Sequence, residues 1–119
     1  MKMNDRELLE LAAKAAGFEY WTTEDHDRLL VRGSDMLRRP WNPLTDDGDA
    51  LRLAVQLGMQ LDLRDPATRA YGAPDGAIDE HHRSNPFEAT RRAIVHAAAE
   101  IGRNMQEVGA TMRCAYTKE

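Results

Sequence analysis

Apolar residues recur with helical spacing near the start of the chain. Leucine and alanine follow the i, i+3, i+4, i+7, i+8 pattern of one helix face at positions 8, 11, 12, 15 and 16. Asn4 precedes this run, and Glu7 three residues later completes a capping-box signature. Gly17 can adopt the left-handed conformation that ends a helix. The pattern predicts a helix over residues 5–16.

Two runs of β-prone residues follow this helix. Residues 18–23 and 28–32 flank the polar tetrapeptide at 24–27. Such an arrangement is typical of two antiparallel strands joined by a short loop. It predicts a β-hairpin over residues 18–32.

A proline-bracketed segment with a tryptophan, "RRPWNPLTDDG", precedes the next helical pattern. Pro40 and Pro43 each disfavour helical geometry at the preceding residue, so residues 34–44 are predicted to be irregular. Trp41, between the two prolines, is placed to fill the gap beneath the helix that follows.

The second helical pattern begins after Thr45, a natural N-cap, and has aspartates in its first turn, where the helix dipole favours negative charge. Gly58 ends the pattern, which predicts a helix over residues 46–57. Its apolar side is predicted to consist of Ala50, Leu51, Ala54, Val55 and Leu57.

Residues 59–64 alternate between apolar and polar side chains. This period of two predicts a half-buried strand that joins the sheet of the hairpin. Residues 65–85 contain several prolines and glycines and little periodicity, so they are predicted to form a loop. A short strand at 68–71 and a binding loop are the alternatives within this stretch.

Asn85-Pro86-Phe87-Glu88 is the clearest helix start in the chain, with a capping Asn, a Pro at the first helical position and a Glu at the third. The pattern predicts a helix over residues 86–108 that ends at Gly109. Within it, Gly102 is expected to weaken the last turns by up to about 1 kcal/mol. The remaining tail is predicted to fray or to add an edge strand.

These elements predict one α/β (α+β) domain of 119 residues, in which a small antiparallel sheet of three to four strands packs with three helices like a sandwich. Hydrophobic residues make up 42% of the chain and charged residues 30%, as in ordinary globular proteins. Only 6% of the residues are aromatic, which favours helix over sheet.

The formal net charge of −4 disfavours nucleic acid as a partner. The single cysteine, Cys114, has no intramolecular disulfide partner, which fits a reducing compartment. No apolar run is long enough to span a membrane. We therefore expect no membrane association and a cytoplasmic location.

Residue types able to catalyse reactions or bind metals occur, but each has a simpler explanation. Residues 25–27 and 79–82 combine His with Asp or Glu, yet their spacing matches no metal motif, and solvated loops explain them. The aspartates at positions 46, 47 and 49 fit a helix start. Cys114 lacks a recognisable His and Asn context and is expected to be a buried or frayed thiol. The sequence predicts no catalytic residue, no metal and no cofactor, and hence no enzyme.

Tryptophans and arginines form the candidate binding set. Trp21 and Trp41 lie near Arg38 and Arg39 in sequence, a composition typical of protein interfaces. Each tryptophan could instead fill the core. Stacking on single-stranded bases is the weaker alternative, because the chain is acidic overall.

Arg91 and Arg92 suggest a different ligand. They lie one turn into the helix at 86–108, whose N-terminus could hold a phosphate. This predicts a site for an anionic small molecule, and an exposed arginine face is the simpler alternative.

The order helix, hairpin, helix, strand, loop, helix, with the blocks "WNPLTDDGDALRLAVQLG", "QLDL" and "NPFEATRRAIVHAAAEIG", resembles a group of small phage and prophage accessory proteins. The group includes the phage ABA sandwich domain and, more distantly, the NinX-like proteins. The resemblance covers about residues 5–105. It implies an α/β sandwich and a phage or prophage origin, and it brings no catalytic residues. The hairpin loop and the His-containing loop are longer here than in the family pattern.

Composition and resemblance together predict a non-enzymatic phage or prophage accessory protein in the host cell cytoplasm. It is expected to bind a host bacterial protein, in counter-defence or host takeover. The alternative is a homo-oligomeric sponge that binds an anionic, nucleotide-like small molecule through helix N-termini and arginines.

Overall fold

The structure, a computed structural model, describes residues 4–22, 29–33, 36–73 and 76–117. These residues form α1 (Asp5–Ala16), β1 (Glu19–Thr22), β2 (Leu29–Arg32), β3 (Arg38–Pro40), α2 (Asp47–Gln56), β4 (Gln60–Arg64), β5 (Ala67–Ala73), β6 (Gly76–His81) and α3 (Pro86–Thr117). The strands form two antiparallel sheets, β1-β2-β3 and β4-β5-β6. The predicted α+β class with three helices is confirmed, and the strands are divided between two sheets.

The first helix has the predicted bounds and caps. Asn4 Oδ1 accepts a hydrogen bond from the backbone N–H of Glu7 at 2.8 Å. Gly17 adopts a φ of 80°, which directs its own N–H and that of Phe18 to carbonyls of the last turn. Local signals therefore define both ends of α1.

The predicted hairpin is confirmed by the pairing of β1 with β2, and its loop at 24–27 lies outside the described residues. The prediction of an irregular segment at 34–44 is wrong for residues 38–40. These form β3, in which Pro40 pairs with Leu30. Because β3 is an edge strand, a residue without a backbone N–H is tolerated there.

The N-cap of α2 is Asp46 rather than the predicted Thr45, because the Asp46 carboxylate accepts the Asp49 N–H at 2.8 Å. The predicted apolar side is also partly wrong. Ala50, Leu53 and Ala54 are buried, whereas Leu51 and Val55 are exposed.

β4 forms close to where it was predicted, but it joins a second sheet rather than that of the hairpin. The prediction of a loop at 65–85 is wrong, because β5 and β6 occupy most of it. The strand considered at 68–71 belongs to β5. Pro66 lies in the tight turn between β4 and β5, so it marks a hairpin connection.

The third helix continues to Thr117, past the predicted end at 108. Gly109 does not stop it, and the prediction of an edge strand in the tail is wrong. The side chain of Cys114 lies outside the described part of this helix. Every helix in the described residues is too short or too polar to cross a bilayer.

The core is arranged around α3, which packs against α1 and α2 and also against β5 and β6. The larger buried cluster joins α1, β2, α2 and α3, and a smaller one joins α3 to the second sheet through Ala70, Ala93 and Ala97. Many of the residues in these clusters are alanines, whose small side chains allow α3 to pack closely against its neighbours.

Candidate functional site

The register of the first sheet places one set of side chains on the face opposite the core. This set, here called the Trp21 face, consists of Glu19, Trp21, Leu30, Arg32, Arg38 and Pro40. Leu29 and Val31 alternate with it along β2 and are buried in the core. The alternation of β-strand side chains therefore presents Trp21 on the outer side.

Two guanidinium groups lie over the indole ring of Trp21. The Cζ atom of Arg38 is 4.6 Å from the ring centroid, and that of Arg32 is 5.4 Å away. Arg32 is also paired with Glu19 across the strands at 2.7 Å. Such cation–π contacts are each worth about 0.5–1 kcal/mol at exposed sites, so they favour a defined position for the half-exposed ring.

The other two predicted contact residues lie elsewhere. Trp41 is only 4% exposed and meets the Phe18 ring edge-to-face, with 5.6 Å between centroids. Arg39 alternates with Arg38 along β3, and its Cζ lies 5.7 Å from the Phe18 ring centroid. The structure therefore unites Trp21 with Arg38 and separates them from Trp41 and Arg39.

The predicted pair Arg91 and Arg92 also diverges. Arg91 donates hydrogen bonds to the Leu44 carbonyl at 2.8 Å and to Asp47 at 2.6 Å, beside α2. Arg92 pairs with Asp5 of α1 at 3.4 Å. Because the two side chains reach different helices and meet carboxylates, the geometry does not form one shared anion site.

A second surface, which sequence reasoning missed, is a cleft of about 420 Å³ where α2, β4 and the start of α3 meet. Within the second sheet α3 packs on β5 and β6, and on the inner face of β4 Leu61 is partly buried whereas Leu63 is left exposed. The apolar lining of the cleft consists of Ala50, Leu51, Leu61, Leu63, Phe87 and Ile94. We call this surface the apolar cleft.

A chain of hydrogen bonds connects Asp65 to three polar residues that line the cleft. His82 Nδ1 is 3.3 Å from Asp65 Oδ1, and His82 Nε2 is 2.8 Å from Thr68 Oγ1. The Thr68 and Thr90 hydroxyl oxygens are 2.8 Å apart. Carboxylate, imidazole and hydroxyl thus follow the order of a hydrolase triad.

The donor directions argue against Thr68 as a nucleophile. The Thr90 hydroxyl donates to the Pro86 carbonyl at 2.8 Å, so its oxygen accepts the Thr68 proton. The Thr68 oxygen in turn accepts from Nε2–H of His82. A base must instead receive the nucleophile's proton, and Thr68 is fully buried. The network therefore serves to tie β5 to the start of α3.

Thr68→Val is expected to lower the free energy of unfolding by about 1–3 kcal/mol, because it removes the buried hydroxyl that contacts both His82 and Thr90. Chemical denaturation measures this loss. Thr68→Ser, which keeps the hydroxyl, should lose less. A valine variant as stable as the wild type would mean that the network contributes nothing.

Two stretches of the chain, 25–27 and 79–82, combine His with Asp or Glu. Asp25, His26 and Asp27 lie outside the described residues, and the remaining described side chains contain no group of three His, Cys, Asp or Glu able to hold a metal ion. His82 is directed to Thr68, whereas the neighbouring His81 is exposed on the opposite face of β6.

The outer face of the second sheet provides a comparison for the Trp21 face. Arg69 donates two hydrogen bonds to Asp79 across the strands, at 2.6 and 3.2 Å. These bonds lower the pKa of Asp79 below its usual value. Both groups are exposed, so the pair is a solvated charge pair of the ordinary kind.

No family model, curated protein or solved structure matches the chain. The Trp21 face and the apolar cleft are the two candidate functional surfaces among the described residues.

Proposed function

We propose that the protein is a non-enzymatic phage or prophage accessory protein that binds a host bacterial protein through the Trp21 face. The observation that carries this proposal is the half-exposed indole of Trp21 with the guanidinium groups of Arg32 and Arg38 over it. The three sequence blocks that resemble phage accessory proteins support the phage origin. Counter-defence or host takeover is the role that such binding would serve.

The geometry of the face suits recognition of a protein. An indole on a strand buries a large area on binding and loses little conformational freedom, because the sheet and the arginines already restrict it. Tryptophan and arginine are the residues in which interface binding energy is concentrated.

The local charge indicates what the partner presents. The described residues of the Trp21 face include the two cations Arg32 and Arg38 and the single carboxylate Glu19, although the whole chain is acidic. We therefore expect the partner to offer an apolar pocket for the indole and carboxylates for Arg38.

Affinity capture from bacterial lysate tests the proposal with two matched double variants. Trp21→Ala/Arg38→Gln alters the Trp21 face, and Tyr71→Ala/Arg69→Gln alters the outer face of the second sheet. We expect one host protein to be recovered by the wild type and by the second variant. Its recovery should fall at least tenfold with the first variant, as for a hot-spot residue.

Nuclease treatment of the lysate should leave this recovery unchanged. Equal recovery by both variants, recovery that depends on nucleic acid, or no recovery above background would each contradict the proposal. Circular dichroism of the variants confirms that they are folded.

A further inference from the structure

We propose that the apolar cleft binds a basic amphipathic helix of a partner protein. The cleft shares no residue with the Trp21 face, so this inference is independent of the function proposed above. It depends on the exposed apolar side chains of the cleft and on the exposed carboxylates beside them.

The apolar lining is unusually open to solvent. Leu51, Leu63 and Phe87 come from three different elements, and each is at least 60% exposed. Val55 is also exposed and lies one turn after Leu51, so it extends the same strip along α2. Contiguous exposed apolar residues of this kind mark a surface that another molecule covers.

The polar groups of the cleft favour an apolar occupant. The hydroxyls of Thr68 and Thr90 are hydrogen-bonded to each other, and Nε2 of His82 is directed to Thr68. These polar groups already have hydrogen-bond partners within the protein. Apolar side chains of a partner can therefore pack over them without leaving a buried polar group unpaired.

Two carboxylates at the cleft are exposed, and each contacts a basic side chain that is largely buried beneath it. The side chain of Asp47 is 71% exposed, whereas that of its partner Arg91 is 16% exposed. The side chain of Asp65 is 98% exposed, whereas that of His82 is 12% exposed. An approaching molecule therefore meets carboxylates first, which complement lysine or arginine.

The nearby cation Arg64 does not alter this arrangement. It projects from the opposite face of β4, where it is paired with Asp62 at 2.8 Å. The exposed carboxylates at the cleft are therefore Asp47, which lines it, and Asp65, which contacts the lining residue His82.

A helix satisfies both requirements at once. It can present apolar side chains at i, i+3, i+4 and i+7 on one face and basic side chains beside them, as in other helix-in-groove complexes. A second copy of this chain fits less well, because a symmetric dimer would place the carboxylates of one cleft near those of the other.

The test uses a fluorescein-labelled synthetic helical peptide with leucine at i, i+3, i+4 and i+7 and lysine on both flanks. Two control peptides have glutamate in place of lysine or the same residues in scrambled order. Fluorescence anisotropy is expected to show binding of the lysine peptide at least tenfold tighter than that of either control.

Variants of the full chain then locate the binding. Leu51→Asp/Phe87→Asp is expected to weaken the lysine peptide at least tenfold, whereas Met105→Asp, an exposed residue elsewhere on α3, should leave it unchanged. Asp65→Lys should weaken binding of the lysine peptide and strengthen binding of the glutamate peptide; it replaces an exposed side chain and removes its contact with His82.

Three results would overturn the inference. The first is binding that is equal for the lysine and glutamate peptides or unchanged by the Leu51/Phe87 variant. The second is an absence of binding by all peptides. The third is a wild-type dimer in sedimentation velocity that Phe87→Asp dissociates, since a second copy would then occupy the cleft.

Discussion

Trp41→Ala is expected to lower the free energy of unfolding by about 3–5 kcal/mol, the range for removal of a buried large aromatic side chain. Trp41 belongs to the main core cluster, which joins α1, β2, α2 and α3, and it also packs edge-to-face on Phe18. Truncation to alanine would leave a cavity in the core, and filling it would require several of these elements to move. Urea denaturation with linear extrapolation measures the loss.

Trp21→Ala is the matched control, since it removes the same side chain from the outer face of the first sheet. Its loss is expected to be about 1 kcal/mol, because only the contacts with Arg32 and Arg38 and partial burial are removed. Equal losses for the two variants would contradict the assignment of Trp41 to the core and Trp21 to the surface.

Helix positions were predictable from sequence because their signals are local. The Asn4 cap and Gly17 act within one turn of the residues that they terminate, and the structure has both interactions where the sequence places them. Asn85 likewise accepts the Glu88 N–H at 3.1 Å at the start of α3. In each case one short stretch of sequence contains all the residues that determine where the helix begins or ends.

The strand partners were not predictable in this way. The choice of β4 to pair with β5 rather than with the hairpin depends on contacts formed after the chain turns back at Pro66. Prolines and glycines are compatible with a long loop and with tight turns between strands. The pattern at 65–85 therefore could not distinguish a loop from the hairpin of β5 and β6.

In the candidate sites, too, local features could be predicted from sequence, whereas features that depend on tertiary packing could not. Arg38 and Arg39 were grouped because they are adjacent, and a strand at that position would have predicted opposite faces. The exposure of Leu51 beside buried Leu53 depends on where α3 lies, since both residues are apolar and belong to the same helix. The apolar cleft is thus a property of packing that periodicity alone does not predict.

Gly102→Ala is expected to lower the free energy of unfolding by about 3 kcal/mol, the upper end of the usual cost of overpacking, although helix propensity alone favours alanine by up to about 1 kcal/mol. A Cβ atom built at Gly102 would collide with the carbonyl oxygen of Leu11 and lie 2.9 Å from its carbonyl carbon. Backbone atoms cannot rotate away as a side chain can, so α1 and α3 would have to separate. That movement would disturb the fully buried alanines between the helices, among them Ala12 and Ala98.

Gly48→Ala in α2 provides the control, because a Cβ atom there would meet only the flexible ends of Arg52 and Asp46, at 3.1–3.2 Å. These side chains need to move by only a few tenths of an ångström, which leaves the Asp46 cap of α2 in place, so this variant should stay within about 1 kcal/mol of the wild type. Thermal denaturation of both variants measures the contrast. If Gly102→Ala were as stable as Gly48→Ala, α1 and α3 could not be in backbone contact at Leu11. Glycine destabilises a helix relative to alanine. The contact with Leu11 explains why a glycine is nevertheless present at position 102, because α1 and α3 can pack this closely only where α3 has no side chain.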